Sequence, residues 1–152
     1  MIKKILVPLD GSKLAECVLP YVEEMGQKLG AQVVLVSITD RLKGFWPRED
    51  PSRPGEIKMI PETVCSVDEQ AGKYLDGVAA NLTGKVVNVT KEIICGKTAE
   101  ELTIYANTQH CDLAIMSNHG RNGSSKLTHG KVLQYVLKNA RIPILVVKAP
   151  GC

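Results

Sequence analysis

The residues best suited to bind a ligand lie in the segment 116–132, which is rich in glycine and in hydroxyl side chains. The segment follows an apolar run, Leu113–Met116, and leads into a helical pattern from Val132 to Leu137. A helix that begins after such a loop presents unpaired backbone N–H groups, and its dipole favours negative charge. The segment therefore predicts a site for an anion such as a phosphate.

Two Gly-Lys pairs suggest a P-loop, but both lack its spacing. The motif needs a glycine five residues before its Gly-Lys pair. Lys91 stands at that place before Gly96-Lys97, and Ser125 stands there before Gly130-Lys131. The anion site is therefore expected to have a different construction.

Histidines at 119 and 129 raise the alternatives of metal binding and acid–base catalysis. A metal site needs more ligands at suitable spacing, and the segment 116–132 contains no carboxylate. A serine hydrolase would need the G-x-S-x-G motif, which is absent although Ser12 and Ser117 could lie near Asp10. We therefore expect no metal site and no catalytic residue.

Apolar runs alternate with helical patterns along the chain, which is typical of βαβ units and a parallel sheet. The predicted strands are Ile2–Leu9, Gln32–Thr39, Val86–Ile94, Leu113–Met116 and Ile144–Val147. The predicted helices are Lys13–Leu29, Pro61 to about Leu82, Thr98 to about Thr108, and Val132–Asn139. We predict an α/β fold with one doubly wound parallel five-stranded sheet, in a single domain spanning 1–152.

Local signals mark the helix ends. Ser12 is placed as an N-cap, Pro20 should bend the first helix or shift its start, and Gly30 supplies its stop. Thr98 and Glu101 have the spacing of a capping box.

Ligands bind such sheets beyond the carboxyl ends of the strands. Three loops are candidates: those after Leu9, near Ile38, and from Ser117 to Lys131. They would converge if the first and fourth strands are neighbours.

Composition narrows the class of protein. A net charge of +3 without a concentrated basic stripe argues against nucleic acid, and no run approaches the ~20 apolar residues of a membrane helix. The N-terminus lacks a signal-peptide apolar region. Five scattered cysteines without a Cys-x-x-Cys pair fit reduced thiols, so we expect a cytoplasmic protein.

The chain resembles the universal stress protein family over essentially its whole length. Three segments carry the resemblance: Ile5–Ser12, Ala114–Gly123 and Ile142–Val147. The resemblance implies a Rossmann-like, adenine nucleotide alpha hydrolase-like fold, for which we predict the strand order 3-2-1-4-5.

ATP-binding members of that family carry the signature G-x2-G-x9-G-[S/T]. The matching residues here are Ser117, Gly120, Gly130 and Lys131, so the first and last positions differ. Serine adds a Cβ where the backbone approaches the ligand. Lysine replaces a compact hydroxyl with an ammonium that could either pair with phosphate or fill its place.

The resemblance also implies roles for individual residues. The nucleoside wall would comprise Pro8, Leu9 and Asp10; the backbone of Ile38 would meet adenine; and the ribose and phosphates would contact Met116, Ser117, Asn118, His119, Gly120, Gly130, Lys131 and Val132. Asp10 has a purely structural alternative, since Asp before Gly at a strand end often forms a turn.

Two hypotheses follow from the resemblance. In the first, the protein binds ATP or another adenine nucleotide, with or without Mg²⁺, and is regulatory, with at most weak ATP hydrolysis. In the second, Ser117 and Lys131 close the pocket, and the protein is a nucleotide-free dimeric interaction module.

Two further features concern partners. The last strand, Ile142 to Lys148, should be an apolar edge that invites pairing with another chain, and relatives commonly dimerise there, so a homodimer is expected. The region of about 40–60 contains three prolines and the pair Phe45-Trp46. It predicts a mobile loop insertion that forms a lid, a partner contact or merely a surface feature.

Overall fold

The structure is a computed structural model that describes residues 1–39, 46–49, 57–60, 62–120 and 130–150, with only the backbone described at 46–49, 57–60 and 62–67. Its strands are β1 (Lys4–Pro8), β2 (Gln32–Thr39), β3 (Trp46–Glu49), β4 (Ile57–Ile60), β5 (Asn88–Cys95), β6 (Leu113–Ser117) and β7 (Ile144–Val147). Its helices are α1 (Lys13–Glu16), α2 (Leu19–Leu29), α3 (Glu62–Leu82), α4 (Thr98–Thr108) and α5 (Lys131–Asn139). Among these helices, none has the length and apolarity to cross a bilayer.

A five-stranded parallel sheet occupies the centre of the fold, in the order β5-β2-β1-β6-β7. Strand β5 is the third of the predicted strands and β6 the fourth. The observed order is therefore the predicted 3-2-1-4-5, and the α/β class is confirmed.

Helices cover both faces of the sheet. On β1, Ile5 and Val7 pack with α2 and α3, whereas Leu6 packs on the opposite face with α4 and α5. Strands buried on both faces must be apolar at nearly every position, which is why β1 and β2 are continuous apolar runs. Each fully buried side chain of this kind contributes roughly 1.5–3 kcal/mol, so the sheet is a firm platform for the loops at its ends.

The first predicted helix is two helices. Ser12 caps α1 as expected, since its Oγ accepts a hydrogen bond from the Ala15 N–H at 3.1 Å. Pro20 lies in the first turn of α2, where proline is tolerated, so the chain restarts its helix at Leu19. Gly30 ends α2 in the left-handed conformation at φ 60°.

The region predicted as a loop at 40–60 contains an antiparallel pair, in which Trp46 of β3 lies opposite Ile60 of β4. Prolines near these residues favoured the loop prediction. In a two-stranded ribbon, however, both strands are edges, so Pro47 can be accommodated despite its missing N–H. Phe45 lies outside the described residues, and the role of the insertion stays a prediction.

The predicted capping box of α4 is wrong. The helix begins at Thr98, its N-cap is Lys97, and no side chain caps it. The Glu101 side chain lies instead against Gly96, where a Cβ would come within 2.5 Å of the Glu101 Cγ. Gly96 adopts a positive φ of 148° just before the N-cap residue Lys97.

Candidate functional site

The carboxyl ends of β1, β2 and β6 lie side by side, because β1 pairs with both of the other strands. The strand neighbours that the predicted convergence of their loops requires are therefore present. Strand β2 continues beyond β1: the last pair between them is Pro8 with Val36, whereas β2 ends at Thr39. This difference in length leaves the last three residues of β2 without a β1 partner, and we refer to this unpaired edge, 37–39, as the recess at Ile38.

The backbone of Ile38 lies within this recess. The Leu9 N–H donates to the Val36 carbonyl, and the Gly96 N–H donates to the Thr39 carbonyl, both at 2.9 Å. Because backbone groups alternate sides along a strand, the N–H and C=O of Ile38 point to the β1 side, as those of Val36 do. Neither group has a backbone partner within the described residues, so together they offer one donor and one acceptor.

Asp10 joins the loop after β1 to the loop after β6. Its Oδ1 accepts hydrogen bonds from the Ser12 N–H at 2.9 Å and from the Ser12 hydroxyl at 2.5 Å. Its Oδ2 lies so close to Gly120 that a Cβ on that glycine would collide with it. Asp10 therefore forms the turn that its sequence context suggested, and it also lies at the predicted site.

Asn118 connects three segments around the site. Its backbone N–H donates to the Val147 carbonyl at 3.0 Å, and its carbonyl accepts from the Gly130 N–H at 2.7 Å. Its side-chain Oδ1 accepts from the Ala149 N–H at 2.7 Å in a buried environment. The ends of β6 and β7 and the start of α5 are thereby held in one arrangement.

His119 is buried beside the start of α5. Only 3% of its surface is exposed, and its Nδ1 has no hydrogen-bond partner among the described residues. That atom lies 3.8 Å from the place that a Cβ on Gly130 would occupy. A buried polar atom without a partner costs about 1–3 kcal/mol, so a ligand that supplied a partner here would bind more favourably.

The N-terminus of α5 has the features expected of an anion site. Gly130 is the N-cap, and a Cβ there would lie 3.1 Å from the Asn118 carbonyl oxygen, so glycine permits the close approach of the two segments. The first turn contains no acidic residue. Lys131 is exposed at the first helical position, and Val132 is half-buried.

Ser117 and Lys131, the two residues that depart from the signature, do not fill this space in the described structure. The Ser117 hydroxyl donates to the His119 carbonyl at 2.5 Å and so turns back on its own loop. Lys131 is exposed rather than folded inward. The segment 121–129, including His129, lies outside the described residues.

Three of the predicted site residues can contribute little with their side chains. Leu9 and Met116 are 3% and 5% exposed and belong to the cores on opposite faces of the sheet. Pro8 is half-buried at the end of β1. These residues place the backbone around the site rather than offering polar groups to a ligand.

Sequence reasoning missed Asp68. The Thr39 hydroxyl, at the end of β2, donates to the Asp68 Oδ1 at 2.7 Å. Asp68 lies two helical turns before Leu75, a fully buried residue of α3, so a carboxylate occupies an inward position of the helix. A charged residue at an inward-facing position of a predicted helix was the sequence signal that could have identified Asp68.

A groove of about 350 Å³ lies between the α1–α2 region and α3, beside the start of α1. Its wall includes Tyr74, whose hydroxyl donates to the Glu16 Oε1 at 3.1 Å. Burial, followed by the nearby Glu16 carboxylate, raises the pKa of Tyr74. Glu16 also pairs with Lys13 at 3.0 Å, so these two charged groups are partnered with each other.

Comparison with known proteins identifies the family of this chain. Residues 1–148 match the model of the universal stress protein family. The chain is 27% identical to universal stress protein MJ0531 of Methanocaldococcus jannaschii over 148 residues, covering 97% of this chain and 83% of that protein. It superposes on the structure of protein MJ0577, a universal stress protein of the same organism, with a TM-score of 0.82 and 25% identity, covering 100% of this chain and 99% of the other.

More distant structures with the same fold hold adenine nucleotides. A universal stress protein from Archaeoglobus fulgidus, in complex with dAMP, has a TM-score of 0.64 and 12% identity, covering 97% of this chain and 98% of its own. A family member from Arabidopsis thaliana with AMP bound has a TM-score of 0.65 and 12% identity, covering 98% and 93%. The match to the family model spans nearly the whole sequence, and this chain belongs to the universal stress protein family.

Proposed function

We propose that the protein binds ATP or a related adenine nucleotide at the carboxyl ends of β1, β2 and β6, and that it acts in the cytoplasm as a regulatory stress-response protein. The observation that carries the proposal is the convergence of Asp10, Gly120 and the Asn118–Gly130 contact at the N-terminus of α5. The AMP and dAMP complexes of related proteins support the choice of an adenine nucleotide.

The adenine end of the ligand fits the recess at Ile38. Adenine carries an amino donor next to a ring-nitrogen acceptor, and Ile38 offers a carbonyl and an N–H on the same side of β2. Asp10 and the backbone of Pro8 and Leu9 would then border the nucleoside. Hydrogen bonds to backbone groups would discriminate adenine from guanine, whose edge has the opposite order of donor and acceptor.

The phosphate end fits the start of α5. The amide groups of Lys131 and Val132 lie in the first turn of the helix, where the dipole favours an anion. A Cβ would collide with the Asp10 carboxylate at position 120 and would crowd the Asn118 carbonyl at position 130, so glycine at both positions permits the close approach of these segments. Any hydrolysis would be weak, since both carboxylates that the described residues place near this site already accept hydrogen bonds, Asp10 from Ser12 and Asp68 from Thr39.

The orientations of Ser117 and Lys131 favour this proposal over the alternative of a closed pocket. Equilibrium dialysis against labelled ATP and labelled GTP tests it directly. We expect saturable ATP binding and weaker GTP binding. Absence of ATP binding at millimolar concentration would contradict the proposal and favour the nucleotide-free interaction module.

We also propose a homodimer formed through the last strand, Ile142 to Lys148. Pro143 and Val147 direct their carbonyl groups towards β6, so the backbone groups of Ile144 and Val146 point away from the sheet. Val146→Pro removes one outward N–H without removing a bond to β6. Sedimentation should show a dimer for the unmodified chain and mainly monomer for this variant, whereas monomer for both would contradict the proposal.

A further inference from the structure

The start of α5 has several features that attract an anion. Lys131 is an exposed cation at the first helical position, and the first turn has no acidic residue to neutralise it. The structure shows no ion pair between Lys131 and any residue that it describes. The positive end of the helix dipole lies at the same place.

The buried His119 ring gives independent evidence that a ligand belongs here. Its Nδ1 is without a partner in the described residues and lies beside Gly130, the N-cap of α5. In the tautomer that carries its proton on Nδ1, this atom would donate a hydrogen bond to an oxyanion at the helix start. A phosphate would then satisfy an atom that the protein itself leaves without a partner.

The residues around the site do not fit a protein-held Mg²⁺. Magnesium demands oxygen ligands in octahedral geometry and usually takes one or two carboxylates together with phosphates. Of the two carboxylates that the described residues place near the site, Asp10 accepts two hydrogen bonds from Ser12 at Oδ1 and lies against Gly120 at Oδ2. The other, Asp68, accepts a hydrogen bond from the Thr39 hydroxyl. The described residues contain no cluster of three or more His, Cys, Asp or Glu side chains that could hold a metal.

We infer that Lys131 supplies the positive charge that a divalent cation would otherwise bring to the phosphate chain, so that the nucleotide binds without requiring Mg²⁺. The inference rests on the proposed nucleotide-binding function and concerns how that site neutralises its ligand. An ammonium group at the first position of a helix can reach a phosphate held by the amides of the same turn. Lys131 therefore acts as a binding residue, with His119 as a second donor.

The test uses calorimetric titration of the full chain with ATP at fixed ionic strength, either in excess EDTA or in excess Mg²⁺. Lys131→Ser removes the ammonium and installs the hydroxyl that ATP-binding members carry at this signature position, so a loss of affinity in EDTA reports the missing charge. Lys138→Ser is the matched control, because Lys138 is an exposed lysine in the last turn of the same helix. Thermal unfolding of all three proteins without ligand checks that the variants are folded.

We expect the Kd of the unmodified protein to differ by less than about tenfold between EDTA and Mg²⁺. In EDTA, Lys131→Ser should weaken binding by about tenfold or more, the loss of one charge-assisted hydrogen bond, and Mg²⁺ should restore part of it. Lys138→Ser should match the unmodified protein in both conditions.

Two results would overturn the inference while leaving nucleotide binding intact. One is a loss of much more than tenfold when Mg²⁺ is removed from the unmodified protein. The other is equal affinity of Lys131→Ser and the unmodified protein in EDTA. Failure of the unmodified protein to bind ATP in either buffer would instead overturn the proposed function, and the inference with it.

Discussion

The two sides of the candidate site differ in how completely their polar groups are partnered. On the β1 side, the Ser12 hydroxyl donates to Asp10 and accepts from the Ala15 N–H, so one serine serves both the turn and the helix cap. On the α5 side, the His119 Nδ1 has no partner and Lys131 has no ion pair among the described residues. Both sides lie at the carboxyl edge of the same sheet.

This difference indicates that the β1 side supports the fold, whereas the α5 side is the surface that binds the proposed ligand. A fully partnered turn contributes to folding whether or not a ligand is present. An unpartnered buried nitrogen and an exposed cation cost stability or contribute nothing until an anion arrives. Substitutions on the β1 side should therefore change mainly the free energy of unfolding, and those on the α5 side mainly the affinity.

The largest effect is expected where the two sides touch. Gly120→Ala places a methyl group against the Asp10 Oδ2, and Asp10 cannot swing away without losing its bonds to Ser12. The free energy of unfolding should fall by about 1–3 kcal/mol, as in other overpacked sites, and ATP affinity should fall as well. Chemical denaturation and dialysis measure the two quantities.

Gly77→Ala is the control for that substitution. Gly77 lies in α3 with no atom within 4 Å of an added Cβ, so alanine should raise the free energy of unfolding by roughly 0.5–1 kcal/mol. Equal behaviour of the two variants would mean that the contact between Asp10 and Gly120 does not constrain the site.

An intermediate effect is expected from Ser12→Ala on the β1 side. Loss of the helix cap should lower the free energy of unfolding by about 1 kcal/mol. Thr98→Ala serves as the comparison, because Thr98 begins α4 without capping it and should change stability by less than about 0.5 kcal/mol. A larger loss for Thr98→Ala than for Ser12→Ala would reverse the assignment of the two helix starts.

The smallest effect on stability is expected from His119→Phe on the α5 side. The substitution keeps a ring of similar size and removes the nitrogen that lacks a partner, so the free energy of unfolding should stay the same or rise by up to about 1 kcal/mol. ATP affinity should fall by up to about tenfold, since a donor to the phosphate is lost. A clear loss of stability with unchanged affinity would show that His119 is a structural residue.

The centre of the main sheet was predictable from sequence because β1, β2 and β6 are buried on both faces and are therefore apolar runs, as in Val33–Val36. The caps at Ser12 and Gly30 were predictable because each depends on one residue in its own turn. The β3–β4 ribbon was not, since Pro47 argues against a strand unless both strands are known to be edges.

The distinctive features of the site depend on distances between segments far apart in the chain. The bond between Asn118 and Ala149 spans 31 positions, and the contact between Asp10 and Gly120 spans more than a hundred. Periodicity and local spacing in the sequence do not predict such long-range contacts. The unpartnered His119 nitrogen is visible only once its neighbours are in place.

The adenine nucleotide is proposed to bind between the Ile38 recess and the start of α5. Amide NMR spectra of the uniformly ¹⁵N-labelled chain, recorded during titration with ATP, test this position by position. We predict the largest shifts at Ile38, Gly120, Gly130 and Lys131, with little change at Gly77 in the groove beside α3. Shifts concentrated at that groove, or no shifts at millimolar ATP, would contradict the account.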